Sequence, residues 1–270
     1  MLKKSFIFWV AGLALYGLGM LSPDFSESKD FKNHFMTMTI LYDNNPYDQR
    51  LKTAWGFSCL IEFEGKTVLF DTGGDGEILL NNMGVLGKDP RAIEIVILSH
   101  IHGDHTGGLR RLLKINQNLK IYIPESFPRN FEQATKDDGT KLIRVKSSFE
   151  ILPGVWSTGE MGHEIKEQSL LMNTPRGMIL VTGCAHPGII HIMNKAKTIA
   201  RENIYMVIGG WHLSSAGEKE IKGIMDAFIR IGIQKVAPCH CTGDRAMAMF
   251  KDAYGENYIK TGVGSIIKIE

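Results

Sequence analysis

Three of the nine histidines of this 270-residue chain fall within six residues, in the segment His100-Ile101-His102-Gly103-Asp104-His105. Neutral imidazole together with carboxylate is the ligand mixture that suits zinc, iron or manganese. In an extended loop His100 and His102 lie on one side of the chain and can converge on one ion, because side chains two apart share a face. Gly103 lets the chain turn, so Asp104 and His105 can be aimed at a second ion. Histidines that are merely solvated or satisfied in a core have no reason to combine this spacing with flanking glycines and a strand end. Two ions bridged by water lower that water's pKa toward neutrality and polarise a substrate oxygen, so hydrolysis needs no serine or cysteine nucleophile. No Gly-x-Ser-x-Gly elbow, Walker loop or dinucleotide fingerprint competes with that chemistry.

Positioning such a segment takes regular elements on both sides. Ile95-Val96-Ile97-Leu98 reads as a strand buried on both faces, and it delivers Ser99 and His100 at its C-terminal end. Thr106-Gly107-Gly108 then opens a helix expected over 108–115. Upstream, strands are expected over 36–42, 57–63 and 67–70. Downstream the pattern predicts a strand over 120–123, a short helix over 129–135 and a polar interruption over 136–140. A second β-rich stretch follows (141–145, 154–157, 169–173, 178–182), then a helix over 189–201. Strand 204–208, helix 218–231, strand 235–238, helix 244–254 and strand 265–269 close the chain. Two halves of similar order imply an α/β fold of two sheets packed face to face with helices outside, a four-layered αββα sandwich.

With 44% hydrophobic residues the chain can bury one sizeable core, so a single catalytic domain is expected over 31–270. The 31 Lys and Arg against 29 Asp and Glu leave a net charge of +2 and no basic stripe, so nucleic acid is not the expected partner. Lys3 and Lys4 precede an uncharged run, Phe6 to Leu21, with a polar linker after it. Residues 1–30 therefore read as a signal peptide or membrane anchor, with the enzyme outside the cytoplasm and membrane contact only through that segment. Cys59, Cys184, Cys239 and Cys241 do not read as a disulfide framework. Residues i and i+2 of a strand sit about 6–7 Å apart, near the upper limit for bridged Cα atoms, so Cys239 and Cys241 pair poorly.

The histidine segment resembles the HxHxDH signature of the metallo-β-lactamase superfamily, and the resemblance runs from about Met36 to the C-terminus. Phe70-Asp71-Thr72-Gly73-Gly74 is similar to that family's first motif, which implies that Asp71 supports the ligands. Gly183-Cys184-Ala185-His186-Pro187-Gly188 is similar to the third, implying His186 as third ligand of the first metal. Cys239-His240-Cys241-Thr242-Gly243 is similar to the fifth, so His240 is expected to complete the second set with Asp104 and His105. Glu167-Gln168-Ser169-Leu170, the phrase 182–189 and Gly209-Gly210-Trp211-His212-Leu213 resemble the branch that includes dihydropterin–ribofuranosylaminobenzene-phosphate synthases and many hydrolases. Where most of the superfamily has a bridging Asp, that turn here carries His212, which is expected to govern the second metal or to donate a proton. Asp104 and His212 are thus the candidate catalytic groups. Cysteines beside His240 are expected to point away from it if the strand stays extended, and Cys184 shares its phase with His186.

These expectations converge on two divalent transition metals, zinc first with iron or manganese as alternatives, acting on a small-molecule ester, lactone, amide or phosphoester. The alternative is a synthase like those of the resembling branch, joining a dihydropterin to an aminobenzene with loss of pyrophosphate. Export argues against it, since pterin diphosphates are cytoplasmic. A redox di-iron protein would ask for more carboxylate ligands, and the nuclease members carry an inserted domain absent here. His163 is a candidate to overhang the site from a mid-chain loop, whereas His34 and His191 read as structural or solvated.

Overall fold

The computed structural model describes residues 36–135, 139–200 and 202–270. The apolar segment Phe6 to Leu21, the expected boundary after residue 30, and His34 lie outside the described residues. Among the described residues no helix is long and apolar enough to cross a membrane. The strands are β1 (Met36–Tyr42), β2 (Ser58–Phe63), β3 (Lys66–Phe70), β4 (Ile95–Ile97), β5 (Lys120–Pro124), β6 (Lys141–Val145), β7 (Ser147–Leu152), β8 (Val155–Gly159), β9 (Leu170–Thr174), β10 (Gly177–Thr182), β11 (Ile204–Gly209), β12 (Lys235–Pro238) and β13 (Ile266–Ile269). The helices are α1 (Gly76–Val85), α2 (Gly103–Thr106), α3 (Leu109–Leu113), α4 (Arg129–Thr135), α5 (Ile189–Ala200), α6 (Glu218–Ile231) and α7 (Asp244–Tyr254). One sheet has the order β13-β1-β2-β3-β4-β5-β6 and the other β12-β11-β10-β9-β8-β7.

Alternation along the strands sorts their side chains into three cores. Met36, Met38 and Ile40 of β1, Val68 and Phe70 of β3, and Ile95 and Ile97 of β4 meet Ile179 and Val181 of β10 and Met206 and Ile208 of β11 between the sheets. The intervening Leu60, Leu69, Val96 and Ile121 face outward, against Leu79 and Met83 of α1 and Leu109, Leu112 and Leu113 of α3. On the far side Met178, Leu180 and Val207 pack with residues of α5, α6 and α7. Period-two side chains with both faces covered are what an αββα sandwich requires, so the fold is the one expected.

Strands β3 to β6 run parallel to one another, as do β10 to β12, and the rest of each sheet is antiparallel. The parallel strands present their C-terminal ends to one crevice, where ligands of open α/β sheets bind. Expected elements appear with ends moved by at most two residues wherever the described residues reach. The sequence pattern missed α1, α2 and β7, the segment Gly103–Thr106 being expected as a turn in an extended loop and forming instead a short helix. Asn81, Asn82 and Gly84 are poor helix formers, yet α1 is held at its start by the Asp75 side chain accepting from Glu77 N and Ile78 N. Asn82 is spent on packing, donating to Leu41 O and Lys52 O at 2.9 Å each. Strand β7 is a half-exposed edge strand with no clean alternation to betray it.

Candidate metal centre

Among the described residues, four outside tight turns adopt the left-handed region although they carry a Cβ: Asp71, Ala185, His212 and His240. They follow the C-terminal ends of β3, β10, β11 and β12 respectively. Each such residue costs on the order of 1–3 kcal/mol, and such strain collects where a site is built. It lets each strand stop abruptly and turn a side chain into the crevice. Gly183 and Gly210 make this approach possible, since a Cβ at the first would strike Ser99 Oγ and at the second the Gly183 carbonyl and Cys241 Sγ.

The fully buried Asp71 organises one side. Its Oδ1 accepts from Ser99 N and its Oδ2 from Ser99 Oγ, both at 2.7 Å, and Oδ2 also lies 2.7 Å from His105 Nδ1. With its hydroxyl proton on Asp71, Ser99 Oγ can only accept from His100 Nδ1 at 2.9 Å. Both His100 and His105 are thereby fixed with Nε2 turned inward. On the other side Asn44 Oδ1 accepts from His240 Nδ1 at 2.8 Å, and Asn44 Nδ2 donates to His240 O at 3.3 Å, which sets the amide's orientation. His240 therefore also points Nε2 inward.

The inward atoms converge in two sets. His100 Nε2 and His102 Nδ1 stand 3.0 Å apart, and the His186 ring sits 4.7 Å from that of His100 and 4.9 Å from that of His102. His186 Nε2 is buried without any hydrogen-bond partner among the described residues. In the second set His105 Nε2 lies 3.3 Å from His240 Nε2, and Asp104 Oδ2 lies 3.7 and 3.4 Å from the two. Nitrogens about 2.0–2.1 Å from a tetrahedral ion are about 3.3 Å apart, so both spacings suit a shared cation. An orphaned imidazole nitrogen and imidazole nitrogens facing one another in pairs suit a cation between them.

Protonation agrees. Burial, then the neighbouring imidazoles, pushes His100 well below the ordinary histidine range and His186 down to about 4, so both offer lone pairs at neutral pH. Burial would raise the Asp104 carboxyl, but the His240 hydrogen bond and the charges of His105 and His240 hold it down at about 2. For His105 burial is outweighed by Asp71, which raises it. The residues present therefore fit divalent ions, His100, His102 and His186 for one and Asp104, His105 and His240 for the other.

His212 stands beside the first set and not the second, which it was expected to govern. Its exposed ring lies 4.6 Å from that of His186, on the side of the first set, and the thiols of Cys184 and Cys241 are also close to it. A hydrogen bond with Cys241 raises it above the ordinary histidine value, which favours the protonated, donating form. Cys241 itself does not point away. The chain leaves the extended form at His240, and a one-turn 3-10 helix, His240–Thr242, brings Cys241 back. The four cysteines are free and buried, with Cys59 and Cys239 in the core between the sheets. His163 lines a cavity of 310 Å³ together with His186 and His191.

Sequence reasoning missed three contributors. Glu167 is fully buried and accepts four backbone N–H groups, from Gly183, Cys184, Ala185 and His186, at 2.9–3.1 Å. Burial pushes its carboxyl up to about 7. Gln168 stitches the sheets, its Nε2 donating to Leu98 O and Tyr122 O while Oε1 accepts from Ser157 Oγ. The phrase that holds both was visible, but not their buried orientation. Trp55, 57% exposed, sets its ring 4.9 Å from His240 at the mouth, in a loop whose sequence carries no signal.

Residues 56–186 match the family described as "Metallo-beta-lactamase superfamily". The chain is 32% identical to a 7,8-dihydropterin-6-methyl-4-(beta-D-ribofuranosyl)-aminobenzene-5'-phosphate synthase of Methanocaldococcus jannaschii, over 85% of this chain and 95% of that one. Among solved structures it superimposes on a metal-dependent hydrolase of the beta-lactamase superfamily with a TM-score of 0.70 and 26% identity, covering 87% of this chain and 99% of the other. The short form of human tRNase Z shares the fold at a TM-score of 0.59 and 15% identity, over 86% and 98% of the two chains.

Proposed function

The chain belongs to the metallo-β-lactamase superfamily, and from that premise we propose that it is a two-metal hydrolase of a small ester, lactone, amide or phosphoester. The observation that carries this is the convergence of Nε2 of His100, His105, His186 and His240 with His102 Nδ1 and Asp104 Oδ2, the His186 nitrogen having no protein partner. Divalent metals held there, zinc first, would supply an activated water at neutral pH and an electrophile for the substrate oxygen. The chain's own residues do the rest. Asp71, Ser99 and Asn44 keep each imidazole in its ligating tautomer. His212, exposed at the rim, is placed to give a proton to the leaving group, and Trp55 offers an aromatic wall to an apolar or planar portion of the substrate.

A second reading is a synthase transferring a dihydropterin group, favoured by the 32% identity to such an enzyme over most of both chains. Export of the domain through residues 1–30 would separate the two, because the synthase's substrates belong inside the cell. The test is a screen of esters, lactones, amides and phosphodiesters with metal-loaded protein beside an assay of dihydropterin condensation. Hydrolysis of one class without condensation supports the first reading, and condensation alone replaces it with the second.

A further inference from the structure

We propose that Cys184 is the bridging ligand of this centre, its thiolate shared by the two metals. The inference rests on the two-metal reading above. Cys184 Sγ lies 3.2 Å from His105 Nε2. It forms one close group with His100 and His186, another with His105 and His240, and a third with His212 and Cys241 at the rim, the ligating atoms of each group lying within 4.8 Å of one another. Cys184 is thus common to both metal sets and stands between them. With sulfur about 2.3 Å and nitrogen about 2.0–2.1 Å from a tetrahedral ion, S···N edges come to about 3.5 Å, so the contact with His105 suits a shared ion.

Charge favours such a group. Two dications bring four positive charges, and imidazoles return none. Asp71 is occupied by Ser99 and His105, and Glu167 by four N–H groups. The turn after β11, Gly209-Gly210-Trp211-His212-Leu213, has no carboxylate. Asp104 alone would face both ions. A thiolate between them adds a negative charge where the mutual repulsion of the ions is strongest. Binding releases the thiol proton to solvent, so the site's charge falls by one for each cysteine that ligates. A soft sulfur donor also selects zinc over manganese. The backbone leaves Cys184 little freedom to swing aside. Its N–H and those on both sides are fastened to Glu167 Oε1, and Ala185 holds a left-handed conformation.

Cobalt titration of the chelator-treated full chain tests this, since a thiolate bound to Co2+ gives an intense near-ultraviolet charge-transfer band and imidazoles do not. In wild type the band is expected to grow through both equivalents. It should vanish in Cys184→Ser and Cys184→Ala, with circular dichroism unchanged, and persist in Cys241→Ala. The serine variant should hold its second equivalent about 10–100-fold more weakly. Two bound cobalt ions without the band overturn the proposal while leaving the two-metal reading intact. Growth with one equivalent only makes the cysteine terminal and overturns bridging. Loss of the band in Cys241→Ala but not in Cys184→Ser places the sulfur ligand at Cys241 and overturns the assignment. Absence of cobalt binding overturns the two-metal reading itself, and the bridge with it. The wild-type titration decides whether a thiolate is shared even if a variant fails to fold.

Discussion

Replacing Glu167 with glutamine isolates the support beneath the His186 loop. In the wild type Oε1 accepts from Gly183, Cys184 and Ala185, and Oε2 from His186. A glutamine oxygen can keep the first three, but its NH2 then faces the His186 N–H, donor against donor, at a cost of about 1–3 kcal/mol. An opposing effect depends on pH. Burial raises the Glu167 carboxyl from 4.5 to about 7 in the folded, metal-free chain. A carboxyl whose folded value lies above its unfolded value contributes stability that is fully present below the unfolded value and lost as pH rises through the folded one. That window spans about 2.5 pH units and is worth on the order of 3 kcal/mol. Glutamine does not titrate, so wild type should exceed Glu167→Gln by about 1–3 kcal/mol near pH 5, and the difference should fall by about 3 kcal/mol by pH 8. Urea unfolding of chelator-treated wild type and variant at the two pH values measures it. A difference that stays flat would refute the reasoning that burial dominates this carboxyl. Adding metal back should flatten the curve for a separate reason, because nearby dications favour the ionised form.

Asn44→Ala frees His240 Nδ1 and should weaken the second metal about 10–100-fold with little effect on the first, as isothermal titration of the apo protein would read. His212→Ala should lower turnover by about 10²–10⁴-fold through loss of a proton donor while metal content stays the same. Equal rates in the two proteins would make His212 only a wall of the pocket. For the N-terminal segment, an alkaline phosphatase fused after Asp30 is expected to be active and a cytoplasmic reporter inactive. The reverse result removes the export argument and gives the synthase reading more weight.

The sandwich was readable because its signal is local and redundant. Runs such as Ile95-Val96-Ile97-Leu98 must be strands buried on both faces, and the order of strands and helices repeats. The centre was readable in so far as ligands are ligands in any backbone, which is why His100, His102, Asp104 and His105 stood out from spacing, and His186 and His240 from resemblance. Geometry made by backbone strain was not readable. Nothing in Cys239-His240-Cys241 announces that His240 takes a positive φ and that a 3-10 turn brings Cys241 into the crevice. The same holds for His212, whose left-handed backbone sets it against His186. Glu167 illustrates a further limit, since a carboxylate that satisfies backbone N–H groups looks in sequence like any solvated Glu.

Metal-dependent hydrolysis is open to a single decisive measurement, elemental analysis of the purified chain beside a hydrolysis assay before and after chelation. A two-metal hydrolase should hold about two equivalents of transition metal per chain, lose activity on chelation and regain it on metal addition, and keep little of either metal or activity in a folded His102→Ala variant. Full activity in metal-free wild type would contradict it.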